Sequence, residues 1–146
     1  MSAPDDIKAR ARAIHDARAE LDKALGFGPT MTLAAYQHEA ARTGGSDLEP
    51  GNTLKGLSCA ALGLTGEAGE VADIVKKVVH HRHPLDGAAR EKLIKELGDV
   101  LWYVAHAASV LGVTLDDVAV ANIRKLRARY PEGFSTERSI NRVEEG

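Results

Sequence analysis

The chain has 146 residues with 19 basic and 21 acidic side chains, a formal net charge of −2. That length suits one domain, which buries roughly two thirds of the surface its unfolded chain exposes, and the balanced charge argues against nucleic acid as the main partner. A single cysteine, Cys59, excludes an internal disulfide; with no apolar signal segment after Met1 and no uninterrupted apolar run near 18 residues, a cytoplasmic setting with no membrane partner is expected.

Apolar residues recur at helical spacing throughout, and no alternating Val, Ile and Thr pattern bounded by hairpin turns interrupts them, so an all-α fold is predicted. The first predicted helix runs from Pro4 to Leu25, with Ser2 as cap, a thin stripe of Ile7, Ile14 and Leu21, and a stop at "GFGP". Its weak apolar face suits packing late or on a partner, and residues 1–28 are expected to be a helical extension. Thr32 caps a second helix through Arg42, after which "TGGSDLEPGN" is a loop by composition. A third helix spans Thr53 to His81, ended by "HRHPLDG", where Pro84 disfavours helix in the preceding residue and Asp86 can cap the next. The fourth runs from Gly87 to Leu111 and stops at Gly112; the fifth starts at the Thr114 cap and reaches Tyr130, where Pro131 and Gly133 close it. Residues 136–146 are expected to be a polar, mobile tail. Aromatic content of 4% predicts a core of aliphatic and alanine contacts between helices.

Two acidic pairs stand out. "LTGEAGEVADIVKK" in the third helix carries Glu67 and Glu70, and "KELGDVLWYVAHAA" in the fourth carries Glu96 and Asp99. Residues three apart differ by about 60° around a helix, so each pair projects from one face. The seam of the third helix reads Ala60, Gly63, Glu67, Glu70, Ile74; that of the fourth reads Glu96, Asp99, Tyr103, His106. Both follow the 3-4-3 rhythm of helix packing, so the acids lie at or beside the line where the two helices meet. Four carboxylates there repel one another, and a divalent cation removes the conflict. All-oxygen ligands select hard ions, Mg²⁺ with Mn²⁺ as a substitute. An isolated Glu-x-x-Glu is ordinarily a solvated helix face; two pairs on adjacent helices, each in an apolar frame, weigh against that reading. A di-iron bundle is disfavoured, because no Glu is followed three positions later by His.

At these residues the sequence resembles a known family. "GLTGEAGEVAD" followed by "KELGDVLWYV" is similar to the signature of the MazG-like all-α nucleoside triphosphate pyrophosphohydrolases, related to dimeric dUTPases and dCTP pyrophosphatases. The likeness extends from Met31 to Ser135 and includes "NIRKLRARYPEGFS", so residues 29–135 form the expected domain. Many members carry another Glu just before the first pair; Gly66 stands there, leaving four ligands. The resemblance implies a Mg²⁺ site at Glu67, Glu70, Glu96 and Asp99, and hydrolysis of (d)NTPs between the α and β phosphates to a monophosphate and pyrophosphate. One of the four is then the general base, with Glu67 favoured because it opens the motif. Tyr103 matches a substrate-contacting tyrosine of the dCTP pyrophosphatases, while Asn122, Lys125 and Arg129 are implied as phosphate or sugar contacts. Without a ligand, Tyr103 is a core tyrosine, and "RKLRARY" is what a helix C-terminus favours.

Several other residues have plainer readings. Asp73 rotates away from the seam toward second shell or surface. His80, His81 and His83 lack Cys partners and read as a solvated helix end rather than a zinc site. Trp102 reads as core packing or a subunit contact, Cys59 as a small buried residue, and Tyr36 and Gln37 as residues able to reach a nucleobase. Five helices with long apolar seams exceed what one small bundle buries, so a homo-oligomer, dimer or tetramer, is expected. The alternative is a non-catalytic helical nucleotide-binding or assembly module on the same scaffold.

Overall fold

The computed structural model describes residues 31–45 and 52–141, together with nine helical positions between 13 and 24. The rest of the predicted first helix, and residues 46–51 of the first loop, lie outside the described residues. The described elements are α1 (Leu33–Ala41), α2 (Thr53–His81), α3 (Gly87–Val110), α4 (Leu115–Arg129) and α5 (Thr136–Ile140), with no strand among the described residues, so the fold is all-α as the periodicity predicts.

Local chemistry sets the helix ends. Thr32 accepts a hydrogen bond from the Ala35 amide at 3.1 Å, and Asp86 accepts from the Ala89 amide at 2.9 Å, each satisfying an orphan donor of the first turn. Thr114 does more. Its hydroxyl accepts from the Asp117 amide while the Asp117 carboxylate accepts from the Thr114 amide, a reciprocal capping box at the start of α4. α2 ends at His81, where the sequence reading ends it: Arg82 takes φ +59°, and the His83 amide donates back to the Lys77 carbonyl at 3.1 Å. The tail also departs from expectation, because Ser135 accepts from the Arg138 amide and starts the short helix α5.

Helix α3 is the centre of the molecule, with α2 antiparallel along it and α1 and α4 against its C-terminal half. The core is small and alanine-rich: Ala105, Ala108 and Leu115 are buried, with Tyr36, Ala40 and Val104 packed around them. On the α2 side Gly56, Ala60 and Ile74 are buried, the small residues permitting close approach to α3. Gln37 ties α1 to the α3–α4 turn. Its amide donates to Ser109 Oγ at 3.1 Å and the Val113 carbonyl at 2.9 Å, and its oxygen accepts from the Leu115 amide at 2.7 Å. That corrects the nucleobase reading of Gln37: its polar atoms are spent on the turn. Trp102 donates to Thr43 Oγ1 at 2.8 Å and stacks on buried His106, ring centroids 5.0 Å apart, so it packs within the chain. Cys59, expected to be buried, is exposed on the flank of α2.

Candidate functional site

The α2–α3 seam begins with a contact between a glycine and a ring. Gly63 on α2 receives the side chain of Tyr103 on α3 so closely that a Cβ at Gly63 would overlap the ring, with Cδ1 at 2.7 Å and two further ring atoms nearer still. In the antiparallel register this contact sets, position 60 lies level with 106, 67 with 99, and 70 with 96. The acids therefore face each other one turn from the notch.

Carboxylate oxygens of Glu67, Glu96 and Asp99 all lie within 4.8 Å of one another. Glu67 and Glu96 are half-buried and Asp99 is exposed, so the cluster opens to solvent on one side. Two oxygens on opposite sides of one Mg²⁺ sit about 4.2 Å apart, given bonds of 2.0–2.1 Å, so small side-chain rotations close the observed group around such an ion. The donor set is all oxygen, which suits a hard cation. Glu70 is exposed and outside this group of three. Its field instead contributes to raising the Lys77 ammonium, behind the larger effect of Asp73.

Tyr36 borders the cluster from α1. Its hydroxyl donates to the Gly98 carbonyl at 3.5 Å, and its phenol is pushed above the usual value first by burial and then by the negative charge of Asp99. Sequence reasoning named Tyr36 only as a nucleobase contact and missed its place beside Asp99; a pairing 62 residues apart leaves no local signal. Tyr103 is half-buried, edge-on to Trp102 at 4.9 Å. Asn122 and Lys125 are brought together with Leu33, Leu115, Val118 and Ala119 in a groove of about 630 Å³ between α1 and α4. That volume falls in the range of small-molecule pockets. Arg129 does not line the groove; its carbonyl accepts from Arg138 at 3.3 Å.

The remaining titratable residues take structural places. Asp73 pairs with Lys76 and Lys77 at the surface, which holds its carboxyl down at about 2. His80, His81 and His83 are exposed, and they form no candidate metal group among the described residues.

Three of the four acids named from the sequence thus lie together across two antiparallel helices. The profile of the MazG nucleotide pyrophosphohydrolase domain matches residues 57–134, a segment containing both acidic pairs. The chain belongs to this family. It is also 38% identical over 120 residues to the gene 37 protein of Mycobacterium phage L5, covering 77% of this chain and 100% of that relative. No solved structure matches the chain significantly. Within this MazG chain, no single helix among the described residues is long and apolar enough to cross a membrane.

Proposed function

We propose that this MazG protein is a Mg²⁺-dependent nucleoside triphosphate pyrophosphohydrolase that cleaves (d)NTPs between the α and β phosphates, releasing a monophosphate and pyrophosphate. The observation that carries the reading is the convergence of Glu67, Glu96 and Asp99 oxygens within 4.8 Å, inside the segment that matches the family. These residues, with Glu70 one turn along α2, would hold the cation, Mn²⁺ being the natural substitute. Bound there, it would offset polyphosphate charge and acidify water at the scissile group. A carboxylate of the set not occupied as a ligand acts as general base; Glu70, exposed beside the group, is as well placed for this as Glu67. Asn122 and Lys125 supply a hydrogen-bonding amide and a cation at the rim of the α1–α4 groove, Tyr103 lines the seam, and Arg129 adds a cation at the end of α4.

The catalytic unit in this reading is residues 29–135, with 1–28 an extension and 136–146 a tail. It works in the cytoplasm as a homo-oligomer, dimer or tetramer. Exposure of Leu54 at 84%, Leu62 at 73% and Ile94 at 69% supports assembly, because apolar side chains standing out on adjacent helices gain from a partner.

The test is incubation with a (d)NTP panel and Mg²⁺, following pyrophosphate and monophosphate. Turnover that disappears in Glu67→Gln with helicity retained is the expected result. Tight nucleotide binding without turnover across the panel would instead favour the non-catalytic module. Orthophosphate and diphosphate as products would overturn α–β cleavage.

A further inference from the structure

The acidic group depends on how far apart α2 and α3 stand, because Glu67 comes from one helix and Glu96 and Asp99 from the other. One helical turn away, the ring of Tyr103 is seated on Gly63, the described glycine of this seam at which an added Cβ would collide with the facing helix. We infer that Gly63 is a positioning residue for the metal centre: its missing side chain lets Tyr103 into the seam and holds the two helices at the spacing at which their carboxylates share a small cation. The inference rests on the metal reading above and goes beyond it by assigning the selectivity of the site to a residue that touches neither cation nor substrate.

The geometry gives the inference its sign. With Tyr103 Cδ1 at 2.7 Å from a Cβ at Gly63, and two ring atoms nearer, an alanine there must turn the ring out or open the seam by about an ångström to restore normal carbon contacts near 3.5 Å. The carboxylate oxygens already spread up to 4.8 Å, whereas opposite ligands of Mg²⁺ need about 4.2 Å and those of Ca²⁺, at bonds of 2.3–2.6 Å, accept about 5 Å. Opening the seam therefore leaves the group further from the Mg²⁺ span than from the Ca²⁺ span, so Mg²⁺ loses more. Gly66 and Gly69 are different. A Cβ at either meets nothing within 4 Å, so neither glycine controls the helix spacing.

The experiment follows thermal stability during titration with Mg²⁺ and, separately, Ca²⁺ for the full chain and three variants. Gly63→Ala is expected to require about 10–100-fold more Mg²⁺ for half of the stabilising shift, as for other residues supporting metal ligands, while its Ca²⁺ requirement changes far less. Gly63→Ala combined with Tyr103→Leu, which removes the obstructing ring, is expected to recover the Mg²⁺ response. Gly66→Ala, one residue from Glu67, should behave as wild type. A Gly63→Ala protein with wild-type Mg²⁺ response, or one in which both ions weaken equally, overturns the inference. Should Gly63→Ala fail to fold, the double variant decides: recovered Mg²⁺ response upholds positioning through the ring, and a persistently weak one refutes it. Absence of any divalent response in the wild-type chain would remove the metal reading itself, and the inference with it.

Discussion

Replacing Gln37 should destabilise the protein through the junction of three helices rather than through catalysis. The Leu115 amide is one of the four orphan donors at the start of α4, and its residue is only 4% exposed, so loss of the Gln37 oxygen leaves a buried N–H without that partner. An unsatisfied buried donor costs about 1–3 kcal/mol, and an ordinary lost hydrogen bond about 0.5–1.5 kcal/mol. The bond to the Val113 carbonyl is exposed and water can replace it, while Ser109 keeps its own bond to the Ala105 carbonyl. Gln37→Ala is therefore expected to cost about 2–3 kcal/mol, a fall in Tm of about 6–9 °C for a chain of this size. The Leu115 amide should exchange faster with deuterium in the variant. In Gln37→Glu the carboxylate still accepts from Leu115 but faces the Val113 carbonyl without a proton to donate. The folded state then favours the protonated form, so the stabilising contribution is present below the ordinary Glu range and is lost as pH rises; the deficit against wild type should be larger at pH 7 than at pH 4. A Gln37→Ala protein within about 0.5 kcal/mol of wild type in urea, with unchanged Leu115 exchange, would refute the clamp.

Thr114→Ala removes one half of the capping box and should cost about 1 kcal/mol by urea denaturation. Trp102→Phe keeps an aromatic ring over His106 but loses the bond to Thr43, about 1 kcal/mol; Thr43→Val should cost the same, and the double variant no more than either alone. The Asp73 carboxyl should titrate near 2 by NMR, because hydrogen bonds from Lys76 and Lys77 favour its charged form. Its folded value lies below the unfolded one, so the small contribution of the ion pairs is present above about pH 4 and disappears toward pH 2, and added salt should raise the midpoint.

The helices were legible because their signals are local. Thr32, Asp86 and Thr114 each announce a helix start by side-chain chemistry alone, and all three act as caps in the structure. The end of α2 at His81 was legible as well, but not that the left-handed turn would fall on Arg82, a residue with no preference for positive φ. The acidic pairs could be placed on the seam because 3-4 spacing fixes a face. Periodicity does not say how deep each side chain sits, so the greater exposure of Glu70 than of Glu67 and Glu96 was invisible. The same limit explains Cys59, which lies on an apolar helix yet is exposed. Gln37 and Tyr36 show the opposite case, where function-like polarity in a short helix is resolved only by partners more than 60 residues away.

The partial exposure of the acidic group has a consequence for how metal and fold are coupled. Three carboxylates sealed in an apolar interior would need an ion in order to fold, since uncompensated buried charge is very costly. Here Asp99 is exposed and Glu67 and Glu96 are only half-buried, so water screens their repulsion in the absence of a cation. The buried surface that defines the fold lies elsewhere, at Ala60, Ile74, Ala105, Ala108 and Leu115. Chelation with EDTA should therefore leave the helical circular dichroism intact. Saturating Mg²⁺ should act as a ligand of an already folded protein, adding about 2.7 kcal/mol at 100 times its Kd, or about 8 °C in Tm. Loss of helicity on chelation would mean that the cation is part of the core and that the solvated placement of these acids is wrong.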